Sequence, residues 1–129
     1  MKLSVMIVDD SPAMRSFVRR VLDMSGLEIE HCLQASNGQE ALDLLKTKTV
    51  SLVLSDINMP KMDGLQMLAA LKSSPERRHI PVVMITTEGG ETKVGEAVKL
   101  GAAGYVRKPF TADQIKDKLA GILALAAQL

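Results

Sequence analysis

The sequence predicts an α/β fold, a doubly wound parallel sheet of five strands covered by five helices, in one domain spanning residues 1–129. The first observation is that short apolar runs alternate with amphipathic stretches along the whole chain. The runs are continuous rather than alternating, as in strands buried on both faces. The second is that each amphipathic stretch repeats apolar residues at helical spacing. Strands that alternate with helices form parallel sheets with helices on both faces.

The first strand and helix carry the clearest local signals. LSVMIV (3–8) is a buried strand, Ser11 is suited to an N-cap, and Pro12 takes the first helical position. Gly26 ends the helix. The helical stripe consists of Met14, Phe17, Val18, Val21 and Leu22.

The second and third units follow the same plan. EIEHCLQA (28–35) is more polar, which favours a strand at the sheet edge, and Asn37-Gly38 turns the chain into the next helix. SLVLS (51–55) is a buried strand that ends at Asp56, and a loop over residues 57–64 leads to the third helix. The apolar residues of these two helices are Ala41, Leu44 and Leu45, then Leu65, Leu68 and Leu71.

The last two units complete the sheet. PVVMIT (81–86) is the fourth strand and GYVRKP (104–109) the fifth. The fourth helix carries Val94, Ala97 and Val98 on its apolar face and stops near Gly101. The apolar residues of the last helix are Ile115, Leu119, Ile122, Leu123 and Ala126.

Composition narrows the function. The net charge is +1, so bulk charge gives no reason to expect a nucleic-acid or membrane partner. The longest apolar run is too short to span a bilayer. Cys32 is the single cysteine, which rules out an internal disulfide and favours a reducing compartment. With no signal peptide visible, we expect a cytoplasmic protein.

Polar residues capable of chemistry stand at strand ends. Asp9 and Asp10 close the first strand, Asp56 the third, Thr86 the fourth and Lys108 the fifth. In a parallel sheet these ends emerge at the same edge, where such folds place their ligand sites. We therefore expect the five side chains to share one shallow pocket.

The charges of that pocket call for a cation. A pair of carboxylates about 4 Å apart costs roughly 4 kcal/mol at an effective dielectric constant near 20. Lys108 supplies one positive charge against the negative charges of Asp9, Asp10 and Asp56. Oxygen ligands without His or Cys favour Mg²⁺, or Mn²⁺ in its place, over Zn²⁺.

A cation, a carboxylate, a hydroxyl and an ammonium group together suit phosphoryl transfer. A carboxylate can attack phosphorus and form an aspartyl phosphate, and we predict that Asp56, the central carboxylate, is the nucleophile. The cation, the Lys108 ammonium and the Thr86 hydroxyl would each take one phosphoryl oxygen.

These residues resemble the receiver domain of two-component response regulators, in particular the CheY-like single-domain chemotaxis regulators. The resemblance covers the whole chain. It rests on VDDS (8–11), LSDINMPKMDG (54–64), VMITTE (83–88) and GAAGYVRKPF (101–110).

The resemblance implies a flavodoxin-like sheet with strand order 2-1-3-4-5 and a cis peptide between Lys108 and Pro109. It implies Mg²⁺ binding by Asp9, Asp10, Asp56 and the backbone carbonyl of Asn58. It further implies no effector domain, a histidine kinase as phosphodonor, a downstream protein such as a flagellar motor switch component, a phosphatase, and a monomeric chain.

Switching and turnover are also implied by the resemblance. Thr86 and Tyr105 would be the switch residues that alter the face formed by the fourth helix, the fifth strand and the fifth helix. Asn58 and Glu88 would tune water attack on the phosphoryl group, and both match relatives with short-lived phosphoproteins. Thr87 and the Gly89-Gly90 pair depart from the usual pattern and bear on the kinetics.

Two alternatives stay open. Within the same class, the chain could be a phosphorelay intermediate or phosphate sink, although a Tyr at position 105 favours a motility-type regulator. From the enzyme class, it could be a Mg²⁺-dependent phosphohydrolase that uses Asp56 as a transient nucleophile. A flavodoxin-type cofactor carrier is disfavoured, because Asp9 and Asp10 would repel a cofactor phosphate.

Overall fold

Ten elements alternate along the chain in the computed structural model, which describes residues 2–86 and 91–127. The strands are β1 (Leu3–Val8), β2 (Ile29–Ala35), β3 (Leu52–Asp56), β4 (Val82–Thr86) and β5 (Gly104–Arg107). The helices are α1 (Pro12–Met24), α2 (Gly38–Leu45), α3 (Gly64–Lys72), α4 (Glu91–Lys99) and α5 (Ala112–Ala127).

The five strands form one parallel sheet in the order β2-β1-β3-β4-β5. The predicted fold class and strand order are confirmed. The polar strand β2 lies at an edge, as its composition indicated, and β5 lies at the other edge. β1, β3 and β4 are flanked on both sides, which is why they are almost entirely apolar.

Helices α1, α2 and α3 begin at side-chain caps. The Ser11 hydroxyl accepts the Met14 N–H at 3.2 Å, and Asn37 caps α2 in the same way. Asp63 and Gln66 form a reciprocal capping box at the start of α3. Each cap satisfies a backbone donor that the helix itself cannot, so the loops after β1, β2 and β3 end at defined points.

The sheet separates two apolar clusters. On one face α1 and α5 pack against sheet side chains such as Ile7 and Leu54, and α5 contributes Leu119 to this cluster. On the other face α2, α3 and α4 pack against sheet side chains such as Met6, and α3 contributes Leu68 to this cluster. Among the described residues, no helix is long and apolar enough to cross a bilayer. With both faces covered, polar groups at the carboxyl ends of the strands converge on one edge of the sheet.

Two predicted details differ from the structure. β5 ends at Arg107 rather than at residue 109, because Pro109 has no N–H with which to continue the ladder. The expectation that Val98 lies on the apolar face of α4 is wrong, since its exposure is 57%. α4 instead buries Ala97 against the core, and the next residue after Ala97 is rotated by about 100° around the helix.

Candidate functional site

Three carboxylates meet at the carboxyl edge of the sheet. Asp9 follows β1, Asp10 follows Asp9, and Asp56 ends β3. Each contributes one carboxylate oxygen to a group in which all the oxygens lie within 4.8 Å of one another. Asp9 is buried, Asp56 is partly buried and Asp10 is exposed. The group therefore has a buried floor and an open, solvent-facing side.

The carboxyl group of Asp9 is held by its own loop. The Ser11 backbone N–H donates to Asp9 Oδ1 at 2.9 Å. Arg15 Nη1 donates to the backbone carbonyl of Asp9 at 2.6 Å, and Arg15 Nε donates to Gln34 at the end of β2. These contacts orient Asp9 without using its second carboxylate oxygen.

That second oxygen, Asp9 Oδ2, is buried and has no hydrogen-bond partner within the described part of the chain. The ammonium of Lys108 lies 3.6 Å away, close enough for an ion pair but too long for a hydrogen bond. Burying an acceptor without a donor costs free energy. A bound divalent cation would satisfy this oxygen, so the residues present fit Mg²⁺.

Asp56 has a perturbed carboxyl group. Burial raises the pKa of Asp56 above its usual 3.8, and the negative charges of Asp9 and Asp10 raise it further. The Lys108 ammonium and the hydrogen bond from the Ile57 N–H, 2.8 Å from Asp56 Oδ1, lower this pKa in part. The carboxylate is thus more basic than a solvated one, which suits a nucleophile.

Thr86 and Lys108 lie on the neighbouring strands. Thr86 is buried at the end of β4. The Lys108 N–H donates to the Thr86 carbonyl at 2.7 Å, which ties the residue after β5 to the end of β4. The Lys108–Pro109 peptide is cis, and this prediction from the resemblance is confirmed.

The loop after β3 approaches the site closely. The Gly64 N–H donates to the Ile57 carbonyl at 2.8 Å. A Cβ at Gly64 would lie 2.3 Å from the Asp56 carbonyl oxygen, so no side chain fits there. This glycine lets the loop that carries Asn58 fold back onto the end of β3.

Asn58 is exposed, two residues beyond Asp56. Its side-chain oxygen, Oδ1, accepts a hydrogen bond from the ammonium of Lys93, near the start of α4. Sequence reasoning missed this contact, and it missed those made by Arg15. A helical lysine gives no sign in sequence of which loop its end will reach.

Tyr105 lies on β5 and is 40% exposed. The Lys118 ammonium of α5 sits 5.5 Å from the centre of its ring. Both residues line a groove of about 1330 Å³ between β5 and α5, which extends to Lys108 at the site. The predicted switch residue therefore faces outward, on the surface that the resemblance assigns to partners.

Four predicted positions lie outside the described residues, namely Thr87, Glu88, Gly89 and Gly90. Of the others, Asp9, Asp10 and Asp56 form the carboxylate group, Lys108 pairs with Asp9, and Thr86 holds Lys108 through its carbonyl. Chemically, such a group can bind a divalent cation and present a carboxylate to phosphorus beside an ammonium and a hydroxyl.

Comparison with known proteins gives a consistent result. The family model described as the response regulator receiver domain matches residues 5–120. The chain is 39% identical to the chemotaxis protein CheY1 of Helicobacter pylori, covering 94% of this chain and 97% of the relative. It is 37% identical to a chemotaxis protein CheY homolog of Campylobacter jejuni, covering 94% and 92%.

A solved structure shows the same fold. The structure of the chemotaxis response regulator CheY4 of Vibrio cholerae is 31% identical, with a TM-score of 0.81. The match covers 95% of this chain and 99% of that one. Similarity thus extends over the sheet and all of the strand ends that form the site.

Proposed function

Because the chain belongs to the response regulator receiver domain family, we propose that Asp56 accepts a phosphoryl group from a histidine kinase and switches a partner-binding face. The observation that supports this most directly is the group of three carboxylates beside Lys108. Receiver domains bind Mg²⁺ at an acidic pocket of this kind. We propose that Asp9, Asp10, Asp56 and the Asn58 backbone carbonyl bind Mg²⁺, which Mn²⁺ can replace.

In the proposed transfer, an Asp56 carboxylate oxygen attacks the phosphorus of a phosphohistidine. The new P–O bond forms as the P–N bond breaks, and the electron pair of that bond stays with the imidazole, which takes up a proton. The Lys108 ammonium and the Thr86 hydroxyl would contact phosphoryl oxygens as they approach. When bound, Mg²⁺ would neutralise part of the negative charge of the phosphoryl group and of the carboxylates.

The signal is then removed by hydrolysis. Water attacks the phosphorus, the P–O bond to Asp56 breaks, and the carboxylate is regenerated with release of inorganic phosphate. We propose that Asn58 and Glu88 set the rate of this step and that the phosphoprotein is short-lived. The family is a signalling family and not one of classical enzymes, so phosphorylation and dephosphorylation at Asp56 are proposed as self-directed steps.

Output is proposed to run through the surface formed by α4, β5 and α5. Thr86 would move toward the phosphoryl group and Tyr105 would turn inward, shifting the population of the partner-binding state. CheY-like receiver domains interact with histidine kinases and motor components in general. Since the named relatives are chemotaxis proteins, we propose a flagellar motor switch component as the target, a phosphatase as a further partner, and a cytoplasmic setting.

The same proposal covers domain organisation. We propose that residues 1–129 act as a single monomeric receiver domain, which fits the 92% and 97% coverage of the two relatives. A phosphorelay intermediate or phosphate sink would use the same site. Binding to a motor component that strengthens on phosphorylation would favour the motor-switch role. Onward transfer of the phosphoryl group to a second histidine would favour a phosphorelay intermediate.

The test is intact mass after brief exposure to acetyl phosphate and Mg²⁺, with Asp56→Asn as the control. We expect a gain of one phosphoryl group in the wild type, and no gain in the variant or without Mg²⁺. Absence of any gain, both with acetyl phosphate and with a phosphorylated histidine kinase, would contradict the proposal. Sustained turnover of an exogenous phosphomonoester would instead support the phosphohydrolase.

A further inference from the structure

The contact between Lys93 and Asn58 joins α4 to the loop that follows β3. The two residues are 35 positions apart, so the contact arises from the packing of α4 beside this loop. Asn58 is separated from Asp56 by Ile57 alone, which is buried and whose N–H donates to Asp56 Oδ1. Lys93 thus restrains an exposed side chain whose backbone is fixed next to the proposed phosphoacceptor.

The chemistry of the contact fixes the orientation of the Asn58 amide. A lysine ammonium has three donors and no acceptor, so the amide oxygen must face Lys93 and the NH₂ group must point away. A water molecule that attacks phosphorus must keep a lone pair for phosphorus, so hydrogen bonds from its O–H groups to nearby acceptors set its orientation. The side-chain oxygen of Asn58 is an acceptor of this kind, and Lys93 competes for it.

We infer that Lys93 is a positioning residue that slows hydrolysis of the phosphoryl group on Asp56 by occupying the side-chain oxygen of Asn58. The inference rests on the proposed function. In the step affected, the water oxygen bonds to phosphorus as the P–O bond to Asp56 breaks and its electron pair returns to the carboxylate. The protons of the water pass to solvent and to the departing phosphate. Lys93 acts on this step through Asn58.

The rate of phosphoryl loss from the full chain tests this role. The protein is phosphorylated with acetyl phosphate and Mg²⁺, the donor is removed, and the phosphorylated fraction is followed by intact mass. Lys93→Met and Lys93→Ala remove the ammonium, whereas Lys93→Arg keeps a donor. Lys48→Met is the matched control, because Lys48 is an exposed lysine ahead of β3. It lies near the amino-terminal ends of the strands, whereas the site lies at their carboxyl ends.

We expect loss to be about fivefold faster in Lys93→Met and Lys93→Ala, equivalent to about 1 kcal/mol of barrier. Lys93→Arg and Lys48→Met should match the wild type, and the rate of phosphorylation should be unchanged throughout. In an Asn58→Ala background, Lys93→Met should add no further acceleration. A purely structural role would not produce this dependence on Asn58.

Three results would overturn the inference: loss that is unchanged or slower in Lys93→Met, a full effect of that substitution in the Asn58→Ala background, or an equal effect of Lys93→Arg. Each of these leaves the wild type able to gain a phosphoryl group, so the proposed function would stand. If no variant and no wild type gained a phosphoryl group, both the proposed function and this inference would fail.

Discussion

The substitution Asp56→Asn should stabilise the metal-free protein. Asp56 shares a group of carboxylate oxygens lying within 4.8 Å of one another, and a like-charge pair at that separation costs about 3.5 kcal/mol at a dielectric constant of 20. Lys108 offsets part of this repulsion, and solvent at the open side screens more of it. Asn keeps the acceptor for the Ile57 N–H. We expect a gain of about 1 to 2 kcal/mol in the free energy of unfolding.

The stability advantage of Asp56→Asn over the wild type should depend on pH, because the pKa of Asp56 is raised. Above that pKa the carboxylate is charged in both folded and unfolded states, so the folded wild type bears the full penalty. As pH falls through the folded-state pKa toward the unfolded-state value of 3.8, the folded wild type takes up its proton first and the advantage of Asp56→Asn shrinks. Below 3.8 the advantage of the variant should be gone.

Urea denaturation in EDTA at pH 7.5 and at pH 3.5 measures both effects. At pH 7.5 the thermal midpoint of the variant should also be higher, by about 4 to 8 °C. Added Mg²⁺ should narrow the gap, because a ligand of the folded state stabilises the wild type. A variant that is no more stable than the wild type in EDTA at pH 7.5 would refute the reasoning about charge repulsion.

Three further outcomes are expected. Lys108→Met leaves the buried carboxylate of Asp9 without its cation, so the free energy of unfolding in EDTA should fall by about 2 kcal/mol; an unchanged urea midpoint would argue against the ion pair. Gly64→Ala forces a Cβ to 2.3 Å from the Asp56 carbonyl oxygen and should lower the free energy of unfolding by about 2 kcal/mol. An equally stable variant would show that the loop can relax. Lys118→Met removes a cation–π contact worth about 0.5 to 1 kcal/mol, and NMR of the Tyr105 ring should show an inward fraction two to five times larger; no change would mean that Lys118 does not hold the ring outward.

Much of the fold follows from local signals. The caps at Ser11 and Asn37 and the buried runs of β1, β3 and β4 depend on backbone donors and on burial over a few residues. The meeting of the carboxylates at one edge follows as well, because all strands of a parallel sheet point the same way. The roles of these residues in binding and transfer stay predictions.

Other features depend on how elements pack. The rotation of α4 exposes Val98 and brings Lys93 to Asn58, and it is set by contacts with α3 and β4 rather than by the apolar pattern of α4 itself. The unsatisfied oxygen of Asp9 depends on where its loop places Arg15 and Ser11. Residue spacing along the sequence does not indicate that a particular carboxylate oxygen will lack a hydrogen-bond donor.

The shortness of β5 has a mechanical consequence. β5 has four residues and pairs with a single neighbour, so it can open or tilt at a lower cost in free energy than the strands bonded on both sides. Lys108 follows β5 directly and Tyr105 lies within it. A displacement of the Lys108 ammonium toward the site would therefore also shift the backbone that carries the Tyr105 ring. We therefore expect β5 to shift more easily than the rest of the sheet, while β1 and β3 hold the carboxylates of Asp9, Asp10 and Asp56 in place.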